Sequence, residues 1–493
     1  MLQKSQHIST GVMTAIIMTS GLAAIAYFGM SGSISSIFVV AVFPFIALIF
    51  GISIKYPIIS LLSYGIIAGF WGVIARVFVR QSNVSAILEV ALIYFFVCML
   101  FHALTSRDLN WKRAVNAMTV GYAVWFIFCF MEVLNPRGLT EAWINTRGFY
   151  PSTLLFAIFC SVLLSQYKLI KILLMAIAIY TIIAFIKIMI QKYIGFDQYE
   201  ITWLYSTDSY RTHLLSSGIR YFSIFSDAGN SGSNMGNFAI VYAIIAFNTP
   251  GKKLRLFYLL ISILGLIGMF MSGTRGAMIV PLGGLILFCL IIKNIKLTLT
   301  GGILGILIYV FFAFTYIGEG NQFIRRMRTA FRPGDDASFN VRIENQKLIG
   351  EYLKDKPFGE GMGLAGVEAQ KYGERYITTI PVDSYYIKIW VQTGIVGLIL
   401  HIAVLLVILL WGCYLVMFKV KDKQLKMILI AMLCGLFGLM LSAYGNQFFN
   451  QPNTQFILFT FMAFILNGPY MDRQLAEEKE QALSKVNKNI QTI

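Results

Sequence analysis

Continuous apolar runs of membrane-crossing length recur along almost the whole chain, with short polar loops between them. They fall at roughly residues 11–28, 34–51, 57–78, 84–103, 114–132, 150–166, 169–190, 233–248, 256–272, 276–293, 297–316, 388–417, 425–446 and 453–468. An α-helix needs about 20 apolar residues to cross the hydrocarbon core of a bilayer. The runs are unbroken rather than alternating, so they predict helices and not the strands of a barrel. The pattern predicts an all-α polytopic membrane protein with about 14 transmembrane helices. The first eleven occupy 1–316 and the last three 388–468, followed by a polar tail over 469–493. One long hydrophilic segment, 317–387, interrupts the series.

The short loops give the orientation. One alternate set carries Lys55, Arg107, Lys112, Arg113, Lys168, Lys171, Lys252, Lys253, Arg255, Lys293, Lys296 and then Lys419, Lys421, Lys423 and Lys426. Lys and Arg gather in cytoplasmic loops, so this set faces the cytoplasm and both termini lie inside. The other set, Asn135–Arg147, Gln191–Gly232 and the long polar segment, then faces outward. Composition agrees. Of 493 residues 57% are hydrophobic and only 13% charged, where soluble chains carry about 25% charge. Topology accounts for most of the net charge of +17, and no nucleic-acid partner is implied. The six cysteines all fall in apolar runs and the four histidines are scattered, so neither a disulfide framework nor a metal site is expected. The first run lacks a clear small-residue cleavage site and reads as a retained span.

Topology does not explain the arginines of the polar segment: Arg325, Arg326, Arg328, Arg332 and Arg342. Guanidinium groups fork phosphate oxygens and keep their charge, so an outward cluster suits an anionic ligand. Arg275 sits at the outer end of a run between Gly273 and Gly276, where small neighbours let a ligand approach; a snorkelling arginine is the plainer alternative. Arg220 precedes the polar turn that holds Asp227, Asn230 and Asn234. Arg76 lies inside a span, and an ion pair with Glu89 is its default reading. Val341, Leu348, Ile349, Tyr352 and Leu353 recur at helical spacing, with Ser338 or Asn340 as caps, and predict an amphipathic helix ending before Pro357. Gly361-Met362-Gly363-Leu364-Ala365-Gly366 fits GxGxxG formally, but no strand precedes it, and its glycines read as a sharp, closely packed turn. Asp383 admits two roles. It or Ser384 can cap the following helix, or its carboxylate, ionised at neutral pH, can accept a proton.

Taken in order, these motifs resemble the O-antigen ligase and O-antigen polymerase superfamily. The matching residues are Ser272-Gly273-Thr274-Arg275-Gly276, then Arg342 through Lys356, Pro357-Phe358-Gly359-Glu360-Gly361-Met362-Gly363, Asp383-Ser384-Tyr385-Tyr386-Ile387, and Gly394-Ile395-Val396-Gly397. The resemblance covers roughly residues 200–450. It implies a GT-C-like glycosyltransferase architecture in the bacterial inner membrane, with the large loop periplasmic. It also implies a glycan donor linked to undecaprenyl diphosphate, a glycan acceptor, and no cofactor or metal; whether a chain-length regulator binds as a further partner is left open by the sequence. By the same resemblance Arg275 and Arg342, with Arg220 and Arg76 as further candidates, grip the diphosphate. Asp383 takes the proton of the attacking sugar hydroxyl, and the anomeric carbon inverts. The family's ligases carry histidine where this chain has Asp383, which tilts the expectation to a repeat-unit polymerase. A ligase acting on lipid A-core or another acceptor is the alternative. A lipid-linked oligosaccharide flippase is the alternative from another class, although no internal repeat is visible and the polar residues gather at the outer surface.

Overall fold

The computed structural model describes residues 48–78, 85–106, 108–146, 150–215, 218–292, 295–331 and 337–491. The expected span at 11–28, nearly all of that at 34–51, and Arg332 lie outside them. The protein is an all-α polytopic membrane protein. Seven helices among the described residues are long and apolar enough to cross a bilayer, and each lies where the hydropathy pattern predicts one. Two compact units are present, Met1–Ala68 with Gln81–Arg113, and Gly69–Arg80 with Ala114–Ile493. In the smaller, helix Leu48–Lys55 turns through 116° into Pro57–Gly69. Tyr94 Oη donates to Ser53 Oγ at 2.6 Å, and His102 joins the Ile54 carbonyl at 2.7 Å to Asp108 at 3.0 Å.

The larger unit holds the helices that matter for the site. They are α1 (Ala117–Met131), α2 (Pro151–Leu163), α3 (Tyr167–Tyr193), α4 (Ala228–Asn248), α5 (Lys252–Met271), α6 (Ile279–Ile291), α7 (Ile295–Phe314), α8 (Gln322–Arg328), α9 (Ala337–Leu353), α10 (Tyr385–Phe418), α11 (Lys423–Ser442) and α12 (Pro452–Gln491). A two-residue hairpin pairs Leu214–Leu215 with Gly218–Ile219. At the centre, α4 packs on α5 and α11, and α11 on α6 and α12. The first half of α4 is too polar to read as a span by itself, yet it is buried. Asn230, Asn234, Asn453 and Thr454 hydrogen-bond one another across α4 and α12, and Ser233 meets Ser442 of α11. Small residues let these helices approach closely: a methyl group on Gly265 would lie 2.8 Å from the Met235 carbonyl oxygen.

The polar segment is folded onto this bundle. Helix α9 is the expected amphipathic helix, but only part of the stripe turns inward. Ile349 and Leu353 are buried with Ile377, Ile380, Val382 and Val391, whereas Val341 and Leu348 face outward. The described part of the helix runs from Ala337, and Ser338 and Asn340 lie within it rather than before it. After α9 the turn Pro357–Gly361 enters a break in α10. At 34 residues, an unbroken α10 would be about 51 Å long, far more than a bilayer core. It breaks at Gly394 (φ 64°, ψ −170°). The Glu360 and Gly361 amides donate to the Val391 and Gln392 carbonyls at 2.8 and 3.0 Å, and the Val396 amide donates to the Pro357 carbonyl at 3.2 Å. Gly359 (φ 74°), Gly361 (φ 109°) and Gly363 (φ 83°) all occupy the left-handed region, which is why the motif is glycine-rich. Buried Glu360 adds a polar anchor. It pairs with Arg375 at 2.7 Å and Arg137 at 3.9 Å and accepts from Tyr352 Oη at 3.0 Å.

A side chain at Gly394 would be strained by its φ and would overlap the Pro357 carbonyl. Gly394→Ala is expected to cost at least about 1–3 kcal/mol and to lower the melting temperature of the detergent-purified protein, read by tryptophan fluorescence. Gly302→Ala, at a helical position with open space around it, should leave that temperature unchanged or slightly raised.

Candidate functional site

The turn from α5 to α6 is where the sequence motif Ser272–Gly276 folds. Ser272 is fully buried; its Oγ donates to the Met269 carbonyl at 2.7 Å and accepts from the Thr274 amide at 3.2 Å. Gly273 has φ 59°, and a Cβ there would lie 3.1 Å from Arg220 and 3.3 Å from Arg326. The glycine is thus the space into which two arginines converge. Arg220 donates to the Thr212 carbonyl and to Thr274 Oγ1, each at 2.9 Å, and Arg326 Nε donates to the Gly273 carbonyl at 2.6 Å. Arg275 follows, donating to Thr329 Oγ1 at 3.0 Å.

These groups line a cavity of about 930 Å³. Six guanidinium groups face it, from Arg211, Arg220, Arg275, Arg325, Arg326 and Arg342, against the carboxylates of Asp227, Glu368 and Asp383. The excess of positive charge is felt locally. Burial first, and then the charge of Arg326, pull the Arg220 guanidinium down to about 10, so it stays charged at neutral pH. Its Nε has no partner among the described residues. An anion in the cavity would relieve both the repulsion and the unmet donor.

One of the three carboxylates caps a helix and a second, largely exposed, meets a lysine. Asp227 caps α4, its Oδ1 accepting from the Gly229 and Asn230 amides at 2.7 and 2.9 Å and its Oδ2 from Ser226. Glu368 pairs with Lys388 at 3.4 Å. Asp383 differs. Ser384, not Asp383, is the cap of α10, accepting from the Ile387 amide. The Asp383 carboxylate lies 3.2 Å from Arg342 Nε and is about half exposed to the cavity, at 53%. His213, the one histidine expected in an outer loop, also lines the cavity, but both ring nitrogens are engaged. Nδ1 donates to the Ser209 carbonyl at 2.8 Å, and Nε2 accepts from the Ala228 amide at 3.2 Å.

Beside this basic cavity runs a narrower groove of about 240 Å³, walled by Met278, Ile279, Leu282, Phe331, Ile343 and Ile387. Arg275, Gly276, Thr329, Arg342 and Asp383 line both spaces, so the charged cavity and the apolar groove meet at a seam whose charged groups are Arg275, Arg342 and Asp383.

Of the residues singled out in the sequence, Arg220, Arg275, Arg342 and Asp383 are thus brought together. Arg76 is not. It is 3% exposed and donates to the Phe225 and Ser223 carbonyls at 2.6 and 2.8 Å, with its guanidinium over the Phe222 ring. Carbonyl oxygens, helped by the charges of Glu200, Asp197 and Asp227, satisfy it in place of a diphosphate. Glu89, its expected partner, is on the helix Ser85–Thr105 of the other unit. Arg328 likewise turns away, to the Phe311 carbonyl within α7 and the Ile317 carbonyl just beyond it. Sequence reasoning missed Arg211, Asn446 and Gln447. Their signal was the short polar turn Gly445–Asn453 between two apolar runs, and an arginine beside His213.

The class is therefore a polytopic α-helical membrane protein with a polybasic cavity where a polar loop meets the helix bundle. Residues 260–402, which carry Arg275, Arg342 and Asp383, match the family model described as O-antigen ligase. Over this segment the chain is similar to the O-antigen ligase and polymerase family, whose members are glycosyltransferase-like ligases and polymerases. No curated protein matches the chain, and no solved structure does.

Burial pushes the His213 imidazole from 6.5 down to about 4. Between those values the unfolded chain binds the proton and the folded one does not. The stability is intact above pH 6.5 and falls as the pH drops towards 4, by at most about 1.4 kcal/mol per pH unit for one proton. His213→Gln keeps an acceptor for the Ala228 amide and should flatten that part of a melting-temperature profile.

Proposed function

We propose that the protein polymerises oligosaccharide repeat units carried on undecaprenyl diphosphate at the periplasmic face of a bacterial inner membrane. In this reading both termini are cytoplasmic, the 317–387 segment is the periplasmic loop, and a chain-length regulator is a partner. One observation carries the proposal: an arginine-rich cavity and an apolar groove share Arg275, Arg342 and Asp383. A lipid-linked diphosphate is the ligand with both characters. Its isoprenoid chain enters the groove, and the guanidinium groups hold the diphosphate.

The acceptor sugar hydroxyl attacks the donor's anomeric carbon from the face opposite the diphosphate. The new C–O bond forms as the bond to the diphosphate oxygen breaks, and its electron pair leaves with the diphosphate, so the carbon inverts. Asp383, the cavity carboxylate without a capping task or a lysine partner, takes the hydroxyl proton. Arg275, Arg342 and Arg220 stabilise the negative charge that grows on the departing group. In this role they supply what a bound cation supplies elsewhere, and no metal is invoked.

The family description favours a second reading, a ligase that moves finished glycan to lipid A-core or another acceptor. A deletion strain separates the two. Single repeat units still displayed on the lipid acceptor mark a polymerase; no displayed glycan and long lipid-linked chains inside the envelope mark a ligase. In either case Arg275→Ala and Arg342→Ala should each lower turnover by about 10²–10³-fold, and Asp383→Asn by about 10²–10⁴-fold, with folded protein retained. Surface glycan of wild-type length in both arginine variants would sink the proposal.

A further inference from the structure

Helix α10 contains a side-chain contact that an unbroken helix forbids. Tyr385 and His401 are sixteen residues apart, which in a continuous α-helix is about 24 Å along the axis. That is well beyond the reach of two side chains. Yet Tyr385 Oη and His401 Nε2 are 2.9 Å apart, with ring centroids at 5.6 Å. The break at Gly394 lies between them. Residues 385–393 therefore fold back towards the long segment 395–418, and the Tyr385–His401 hydrogen bond ties the two pieces together.

The contact is fully enclosed. Tyr385 is 3% exposed and His401 2%. The Trp125 ring of α1 meets His401 edge-on at 4.6 Å, and Phe449 lies 4.9 Å from Tyr385. Neither polar tip can reach a substrate. Their influence runs through the chain: Tyr385 is two residues after Asp383 and directly follows the cap Ser384. The same segment is held from its other side by the Tyr385 amide on the Ala443 carbonyl at 3.1 Å, by Tyr386 Oη on the Met440 carbonyl at 2.8 Å, and by Gln447, which donates to the Val382 carbonyl.

We propose that Tyr385 and His401 are positioning residues, a latch across the broken helix that sets where the Asp383 carboxylate stands relative to Arg342 and Arg275. The proposal rests on the reading of Asp383 as the proton acceptor. A shift of the half-helix by about 1 Å is enough to cost up to about 100-fold in rate, because the acceptor hydroxyl, the carboxylate and the anomeric carbon must align.

The test uses the full chain in lipid nanodiscs with a lipid-diphosphate-linked oligosaccharide as donor. Tyr385→Phe and His401→Leu should each lower kcat by roughly 10- to 100-fold while the KM for donor stays within twofold, since the arginines that bind the diphosphate are untouched. His401→Gln keeps a hydrogen-bond partner for the tyrosine and should recover most of the loss. Hydrogen–deuterium exchange should rise over residues 384–393 in Tyr385→Phe and return towards wild type in His401→Gln. Wild-type kcat per folded molecule in Tyr385→Phe, with only a lower melting temperature, would reduce the pair to a structural contact and overturn the proposal. The exchange measurement stands apart from the reaction. Unchanged exchange over 384–393 in Tyr385→Phe overturns the latch even if the protein transfers no glycan. Raised exchange alongside an inactive wild type leaves the latch in place and removes the polymerase reading instead.

Discussion

The backbone splice at Gly394 is the constraint on which the rest of the site depends. A helix that stops where it is buried leaves carbonyl and amide groups that water cannot reach, each at a cost of about 1–3 kcal/mol when unmet. Here the free carbonyls of Val391 and Gln392 are met by loop amides, and the free amide of Val396 by a loop carbonyl. The loop and the helix therefore need each other. Without the Pro357–Gly361 turn the break in α10 is unsatisfied, and without the break the turn has nowhere to dock. Because α9 precedes that turn and Asp383 precedes α10, the splice fixes Arg342 and Asp383 in one frame.

A second constraint is electrostatic and pulls the other way. Arg220, Arg275, Arg326 and Arg342 converge without an equal number of carboxylates, and burial, with the charge of Arg326 added to it, lowers the Arg220 guanidinium. Like charges at close range disfavour one another, and buried ones need hydrogen-bond partners that hold them in place. The fold supplies that determination with backbone carbonyls: Thr212 for Arg220, and Gly273 for Arg326. Arg76 and Arg328 show the contrasting outcome. The same residue type, given two carbonyls each and no open cavity, becomes a structural brace. What distinguishes an arginine that faces the cavity from a bracing one is thus its surroundings rather than its position in a span.

That distinction explains how much could be read from the sequence. The spans were legible because hydropathy is a one-dimensional property, and Arg275, Arg342 and Asp383 were legible because their order around one loop is a motif. Arg76 was misplaced because its carbonyl partners, Ser223 and Phe225, are about 150 residues away in the chain. The break in α10 was hidden for a different reason. Val391-Gln392-Thr393-Gly394-Ile395-Val396 reads as a continuing apolar run, and a single glycine in such a run costs only about 1 kcal/mol as a helical residue. Only the docked turn makes Gly394 a break. The polar half of α4 was hidden in the opposite sense, since its asparagines and serines look like loop, yet Asn230, Ser233 and Asn234 find partners on one another and on α11 and α12 inside the bundle.

Asp383 joins these threads. At the start of an apolar run an aspartate is first a helix cap, and nothing in the local sequence separates it from Ser384 in that role. The structure gives the cap to the serine. Once Ser384 accepts from the Ile387 amide, the aspartate has no local donor and turns outward. The donor it meets is Arg342, presented by a helix that the Gly394 splice holds in place. A carboxylate freed from backbone duty, half open to a cavity and set beside the groups that would hold a departing diphosphate, is where proton removal and charge stabilisation can act on the same substrate. The placement of Asp383 is therefore a consequence of two backbone facts, a serine that caps and a glycine that breaks.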